Sequence, residues 1–144
     1  MRDRRINNLP IFLARVAEVG VEPDPLTWDQ VAQVHDLGYI LAVQTGFPRG
    51  LAESQGFSWD GGLWPMVLAS NGGAVAAGLA TLENGVAGSL SSGLHHARCG
   101  SGAGFCTFNG LAIAAREALA AGAGSVLIGW RWDGFTSLAS YSPI

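Results

Sequence analysis

Five stretches of the chain carry apolar residues at helical spacing, separated by loops rich in glycine. The first is Leu9 to Val19, where Ile11, Phe12, Val16 and Val19 recur and Gly20 follows as a cap. Glu22-Pro-Asp-Pro-Leu reads as a loop, and Thr27 stands where an N-cap belongs before Trp28-Asp-Gln-Val-Ala-Gln-Val. A second short helix is expected over Gly38 to Val43 after it. Thr45 to Gly62 holds Gly, Pro, Ser and Asp throughout and predicts a long surface loop, either functional or disordered. Leu63 to Glu83 is the longest helical candidate, closed by Asn84-Gly85, and Phe108 or Asn109 opens a further helix that ends near Gly122 or Gly124.

Two short apolar runs, Val86 to Ser91 and Ser125 to Ile128, read as buried strands. Two helix–strand alternations predict an α/β fold, a short parallel sheet flanked by helices, within a single domain spanning 1–144. The tail 129–144 has no clear period and reads as divergent. Parallel strands need cover on both faces. Two or three strands make a poor sheet alone, so something more must shield them, and a second copy of the chain would do so.

Composition strengthens that expectation. Of the 144 residues, 49% are hydrophobic and only 13% charged, which leaves little for a plain solvated surface and predicts a homo-oligomer. The net charge of −3 makes no field that would attract nucleic acid. The 21 glycines follow no fixed period, which excludes collagen and repeat arrays. Met66 to Leu82 is apolar but holds Ser70, Asn71 and glycines, so it reads as a small-residue buried helix rather than a membrane span. Arg15 and Glu18 interrupt the apolar stretch behind the basic start, so no cleaved signal and a cytoplasmic location are expected. Cys99 and Cys106 form no CxxC and predict reduced thiols rather than a disulfide framework or zinc knuckle. Trp59, Trp64, Trp130 and Trp132 suit core packing first and an interface second.

Candidate chemistry is concentrated in Ser91-Ser-Gly-Leu-His-His-Ala-Arg-Cys-Gly-Ser-Gly-Ala-Gly-Phe-Cys-Thr-Phe-Asn-Gly-Leu-Ala-Ile-Ala-Ala. A His-His pair taken alone is more often a polar loop than a catalyst. Gly100-Ser-Gly-Ala-Gly before a helix could cradle phosphate, but it lacks the Lys-Ser/Thr of a P-loop. His35 is expected to be structural, hydrogen-bonded at a helix end.

Taken whole, the segment closely resembles the histone deacetylase family, with the arginase/deacetylase fold. That family carries Gly, His-His-Ala, a short glycine-bearing loop, Gly-Phe-Cys-x-Phe-Asn and Ala-Ile-Ala-Ala at this spacing. Gln33-Val-His-Asp with Tyr39 resembles its Val-His-Asp…Tyr segment, and Gly72-Gly73 with Ala76 and Ala77 resembles its small-residue helix. The resemblance covers most of 9–128. It implies that His95 and His96 are the catalytic tandem histidines, one stabilising charge and the second acting as general base on a zinc-bound water. Imidazole suits that work because its ordinary pKa, about 6.5, lies near neutral pH. It further implies that Gly104 brings its backbone close to an acyl-lysine-like chain and that Phe105 forms a tunnel wall.

The family then continues with Asp-x-Asp-x-His, which supplies two zinc ligands and carboxylate partners for the histidines. Here the chain reads Gly129-Trp-Arg-Trp-Asp-Gly, with Asp133 out of register. Zinc is the family's cofactor, yet no set of three protein ligands can be assembled from this sequence. The expectation is therefore a truncated deacetylase-like protein, related to zinc-dependent hydrolases of acyl-lysine or acyl-polyamine, with no metal site and no activity. Two alternatives stand beside it. One is an active amidohydrolase completed by oligomerisation. The other is a small non-enzymatic module that binds an acyl-amine or assembles with itself.

Overall fold

The computed structural model describes residues 22–91, 93–132 and 135–141, with side chains as far as Gly129; the expected helix Leu9–Val19 and Asp133 lie outside the described residues. Helix α1 covers Trp28–Ala32. Thr27 caps it through a reciprocal box: its hydroxyl accepts from Gln30 N at 3.3 Å, and Gln30 Oε1 accepts from Thr27 N at 2.9 Å. Helix α2 spans Leu37–Thr45, a turn longer than its apolar spacing suggests. The stretch from Thr45 to Gly62 is ordered and includes a short helix, α3, at Arg49–Ala52. Trp59 ties it down, its indole N–H donating to Val43 O at 2.7 Å and its backbone N–H to Glu53 Oε1 at 2.8 Å.

Helix α4 runs Leu63–Asn84 and stops at Gly85, whose φ of +77° is left-handed. Helix α5 spans Gly110–Ala120, capped by the Asn109 side chain. The core joins these helices. Val31 of α1, Tyr39, Ile40 and Val43 of α2, Leu63, Val67 and Val75 of α4, and Ile113 of α5 gather around the fully buried Phe108. Trp64 meets Phe108 edge-on at 6.1 Å, so it packs against the core, as does the half-buried Trp59. The side chains of Trp130 and Trp132 lie outside the described set.

The sheet differs from expectation. Val86 to Ser91 forms no strand, and Val86 and Leu90 are 70% and 89% exposed. Strand β1, Val126–Trp132, pairs with β2, Phe135–Tyr141, and the pairing is antiparallel, with Val126 opposite Tyr141 and Trp132 opposite Phe135. The parallel sheet is thus not present among the described residues. Neighbouring strands with a short connection can only fold back on each other, because a parallel pair needs a crossover. The tail beyond Gly129, which has no clear period in the sequence, supplies most of this hairpin.

Helix α4, expected as a small-residue buried helix, is buried on one side only. It is long and apolar enough to cross a membrane, and 28% of its most apolar window is buried. Asn71, Gly72, Gly73 and Val75 turn inward, with Asp24 and Pro25 packed against Gly72. On the other side, α4, α5 and β1 border an open apolar groove of about 460 Å³, with Ala77, Gly78, Ala114, Ala118 and Leu127 along it.

Candidate functional site

The tandem histidines sit on the loop between α4 and α5, and that loop is fastened at both ends. Leu111 N–H donates to Gly93 O at 3.2 Å, closing the loop onto the first turn of α5. Asn109 does more. Its Oδ1 accepts from Ala112 N at 3.1 Å, while its Nδ2 donates to Ala97 O at 3.1 Å and His95 O at 3.3 Å. One side chain therefore both caps the helix and holds the backbone on either side of His96.

His35 provides the second anchor. It is buried at the turn after α1, with Nδ1 3.2 Å from Cys99 O and Nε2 3.0 Å from Asn109 N. Because Nε2 accepts from an N–H, the ring proton resides on Nδ1 and donates to Cys99 O. The expected structural histidine at a helix end is found, and its work is to tie the His-His loop to α1 and α2. Burial pushes its pKa down, against smaller opposing effects from the backbone at Cys99 and Arg98 and from Asp36. Beside it, Asp36 at the start of α2 accepts the Cys99 thiol at 3.2 Å, a bond that raises the thiol's pKa. Both cysteines are free.

His95 and His96 stand together, ring centroids 4.0 Å apart and tilted by 41°. His95 is half-buried and His96 exposed. Burial, and then the neighbouring His96, lower the His95 pKa below its ordinary value.

Gly104 and Phe105 follow in a tight turn bracketed by the pairing of Ala103 with Cys106. Both have left-handed backbones, with φ of +52° and +62°. A Cβ on Gly104 would lie 3.1 Å from the His96 ring, so glycine allows the turn to approach the imidazole. For Phe105 the same backbone costs about 1 kcal/mol or more, and it persists because the surroundings impose it. Phe105 N–H donates to Gln55 O at 2.8 Å, and its ring lies 5.3 Å from that of Phe57. Gly102, one turn back, fits under Gln55 and Tyr39 only because it has no side chain: a Cβ would sit 2.6 Å from Gln55 Cβ. The Tyr39 hydroxyl donates to Thr107 O at 2.7 Å, and burial pushes its pKa up to about 12.

Of the four expected site residues, His96 lies against both His95 and Gly104, and Phe105 follows Gly104 with its ring against Phe57. The anchoring roles of Asn109 and of Gln55 to Phe57 were not visible in the sequence. Asn109 reads there only as a helix cap, and Gln55 to Phe57 as part of an undivided loop.

The family's zinc can be tested against these side chains. Among the described residues no group of three His, Cys, Asp or Glu side chains is placed to hold a metal ion. His35 has both ring nitrogens engaged with backbone, and Asp36 and Cys99 hold each other. The described residues do not fit a three-ligand zinc site.

Comparison with known proteins places this arrangement in a class. The structure is similar to the crystal structure of the HDA15 HD domain, with a TM-score of 0.57 and 21% identity, over 83% of this chain and 38% of that one. That likeness shows the fold to be of the arginase/deacetylase kind. The histone deacetylase domain family model matches residues 3–128, and the chain belongs to that family. An uncharacterized protein of Picosynechococcus sp. is 37% identical over 84 residues, which are 58% of this chain and 28% of that protein. The chain thus spans well under half the length of either protein.

Proposed function

We propose that these residues form the tandem-histidine portion of a deacetylase-like domain, related by descent to zinc-dependent hydrolases of acyl-lysine or acyl-polyamine. In this reading the chain has no metal site of its own and does not hydrolyse amides by itself. It keeps a surface that can receive an acyl-amine, acts in the cytoplasm and has no nucleic-acid or membrane partner. The observation that carries the reading is the paired rings of His95 and His96, 4.0 Å apart on a loop held by His35 and Asn109. The groups that would prepare a nucleophile for the pair, three metal ligands converging on one point, are not assembled by the described side chains.

Zinc analysis of the purified chain, joined to an assay of acetyl-lysine amide hydrolysis, tests this directly. Less than stoichiometric zinc and no chelator-sensitive turnover are expected. One zinc per chain together with turnover abolished by chelator would sink the reading.

A second reading is favoured by the apolar groove between α4, α5 and β1. An open apolar surface of this kind suits burial against another copy of the chain, and a partner copy could also complete the site.

A further inference from the structure

Leu94 stands directly before His95 with a left-handed backbone, φ +53°. That conformation is unfavourable for a residue with a Cβ, so its surroundings must impose it. Both neighbours of Leu94 are held by the start of α5. Gly93 O accepts from Leu111 N at 3.2 Å, and His95 O accepts from Asn109 Nδ2 at 3.3 Å. Asn109 in turn is held by His35, whose Nε2 accepts its backbone N–H at 3.0 Å. On the ring's other side Nδ1 lies 3.2 Å from Cys99 O, which also accepts from Asp36 N at 3.0 Å. The two ring nitrogens respond differently to a proton. Nδ1 donates in either state, so the bond to Cys99 survives. Nε2 accepts only while the ring is neutral, and once protonated it turns an N–H towards the N–H of Asn109. Charge at His35 therefore opens the Asn109 side and leaves the Cys99 side closed.

We propose that His35 is an acid-released latch on the tandem histidines: proton uptake at Nε2 frees Asn109, Leu94 then relaxes from its left-handed backbone, and His95 parts from His96. The latch acts on the geometry of the pair and stands whether or not the chain turns over an amide. Few groups face the ring. Asp36 of α2 is the charged one among the described residues, and it favours the protonated ring, against burial. Tyr39 of α2 and Phe108 place their rings 5.9 and 5.1 Å away, and Arg98 acts on the imidazole through its backbone. The pKa of the Tyr39 hydroxyl is pushed up to about 12 and that of the Cys99 thiol is raised, so neither changes charge in mildly acidic solution. The core around Phe108 is built from apolar side chains of α1, α2, α4 and α5, which take up no proton. The loop should therefore let go while the helices stay folded. His95 and His96 carry imidazoles too, so the test must separate their protonation from that of His35.

The experiment is an NMR pH titration of the full chain between pH 7.5 and 5.5. It follows the ring nitrogens of the three histidines, the backbone shifts of Leu94 and the hydrogen exchange of Asn109 N–H. His35 is expected to titrate below 6.5, with Leu94 moving from left-handed to ordinary backbone shifts at the same midpoint. Protection of Asn109 N–H, corrected for intrinsic exchange, should fall about five- to tenfold, as one proton taken up with an ordinary pKa of about 6.5 in the released state allows over this interval. Val43 and Val75, inside α2 and α4, should keep their protection. His35→Gln, which stays neutral, should abolish the pH response of Leu94 and Asn109. If these two follow the midpoint of His95 or His96 instead, the latch is overturned, as it is by a pH response that persists in His35→Gln. Protection lost at Asn109, Val43 and Val75 together is acid unfolding and overturns it too. Release of Asn109 with Leu94 unmoved overturns the link to the tandem pair.

Discussion

His35 Nε2 accepts the backbone N–H of Asn109 at 3.0 Å, joining positions 74 residues apart. This bond requires a neutral ring, since a protonated imidazole has no acceptor. Burial accordingly lowers the His35 pKa below its ordinary 6.5. The folded state binds this proton less readily than the unfolded chain, so stability rises with pH. The contribution is complete above the unfolded value near 6.5 and is lost as pH falls from there through the depressed folded value. His95, whose pKa is also lowered, adds in the same direction. Urea unfolding at pH 7.5 and pH 5.5 should show lower stability at the acid end. His35→Gln should be less stable at pH 7.5 and should vary less between the two. An unchanged pH slope in His35→Gln would show that another group governs it.

Asn109 concentrates several bonds in one amide. Asn109→Ala removes the cap on Ala112 N and leaves Ala97 O and His95 O without their donor. The expected loss is about 2–3 kcal/mol, the cap contributing about 1 and the loop bonds the remainder. Asn109→Asp keeps the acceptor and loses only the donors, so it should fall between the wild type and Asn109→Ala. Equal losses in the two variants would mean that the cap contributes nothing, and an Asn109→Asp as stable as the wild type would mean that the amide donors hold nothing. The readout is the denaturation midpoint, together with amide shifts confined to positions 95–97.

How much of this was legible in the sequence depends on the range of the interaction. Thr27 announces a helix start that the structure reproduces, with Gln30 completing the cap, and Gly85 ends α4 where Asn84-Gly85 stands. His95, His96, Gly104 and Phe105 were found because the resemblance fixes them at set spacings within one loop. Strand pairing was not legible. A run such as Ser125 to Ile128 alternates over too few positions to reveal its partner, and that partner proved to be the segment directly after it rather than Val86 to Ser91. The Phe57–Phe105 contact was hidden for a related reason. It joins two loops brought together by Tyr39 and Gln55, and no local pattern encodes a meeting of loops.

Phe105 and Phe108 lie three residues apart and should respond to substitution in opposite ways. Phe108 is fully buried at the centre of the core, so Phe108→Ala should cost about 3–5 kcal/mol. Phe105 is mostly exposed and strained, so Phe105→Gly relieves the left-handed backbone while adding unfolded-state freedom. Its net effect on stability should stay within about 0.5 kcal/mol. Gly104→Ala should cost about 1–2 kcal/mol, because the new methyl group meets both an unfavourable φ and the His96 ring. Thermal unfolding of the variants in parallel checks the order. A Phe105→Gly as damaging as Phe108→Ala would show that the exposed ring is a structural support and not a free surface.

The groove makes the proposed self-association testable without disturbing the core. Leu127 on β1 and Leu82 near the end of α4 border it and are largely exposed in the single chain. Placing glutamates at both positions should alter the isolated chain's stability by less than about 0.5 kcal/mol per site, as for other solvated positions. In an assembly the same carboxylates would be buried against apolar surface, where an unpaired charge costs several kcal/mol or more. Sedimentation equilibrium should therefore show concentration-dependent association of the wild type and a monomeric Leu82→Glu/Leu127→Glu double variant with the same circular dichroism. Association that persists in the double variant would move the interface away from the groove. A wild type that remains monomeric at high concentration would remove the case for a partner copy, and with it the possibility that a second chain completes the site beside His95 and His96.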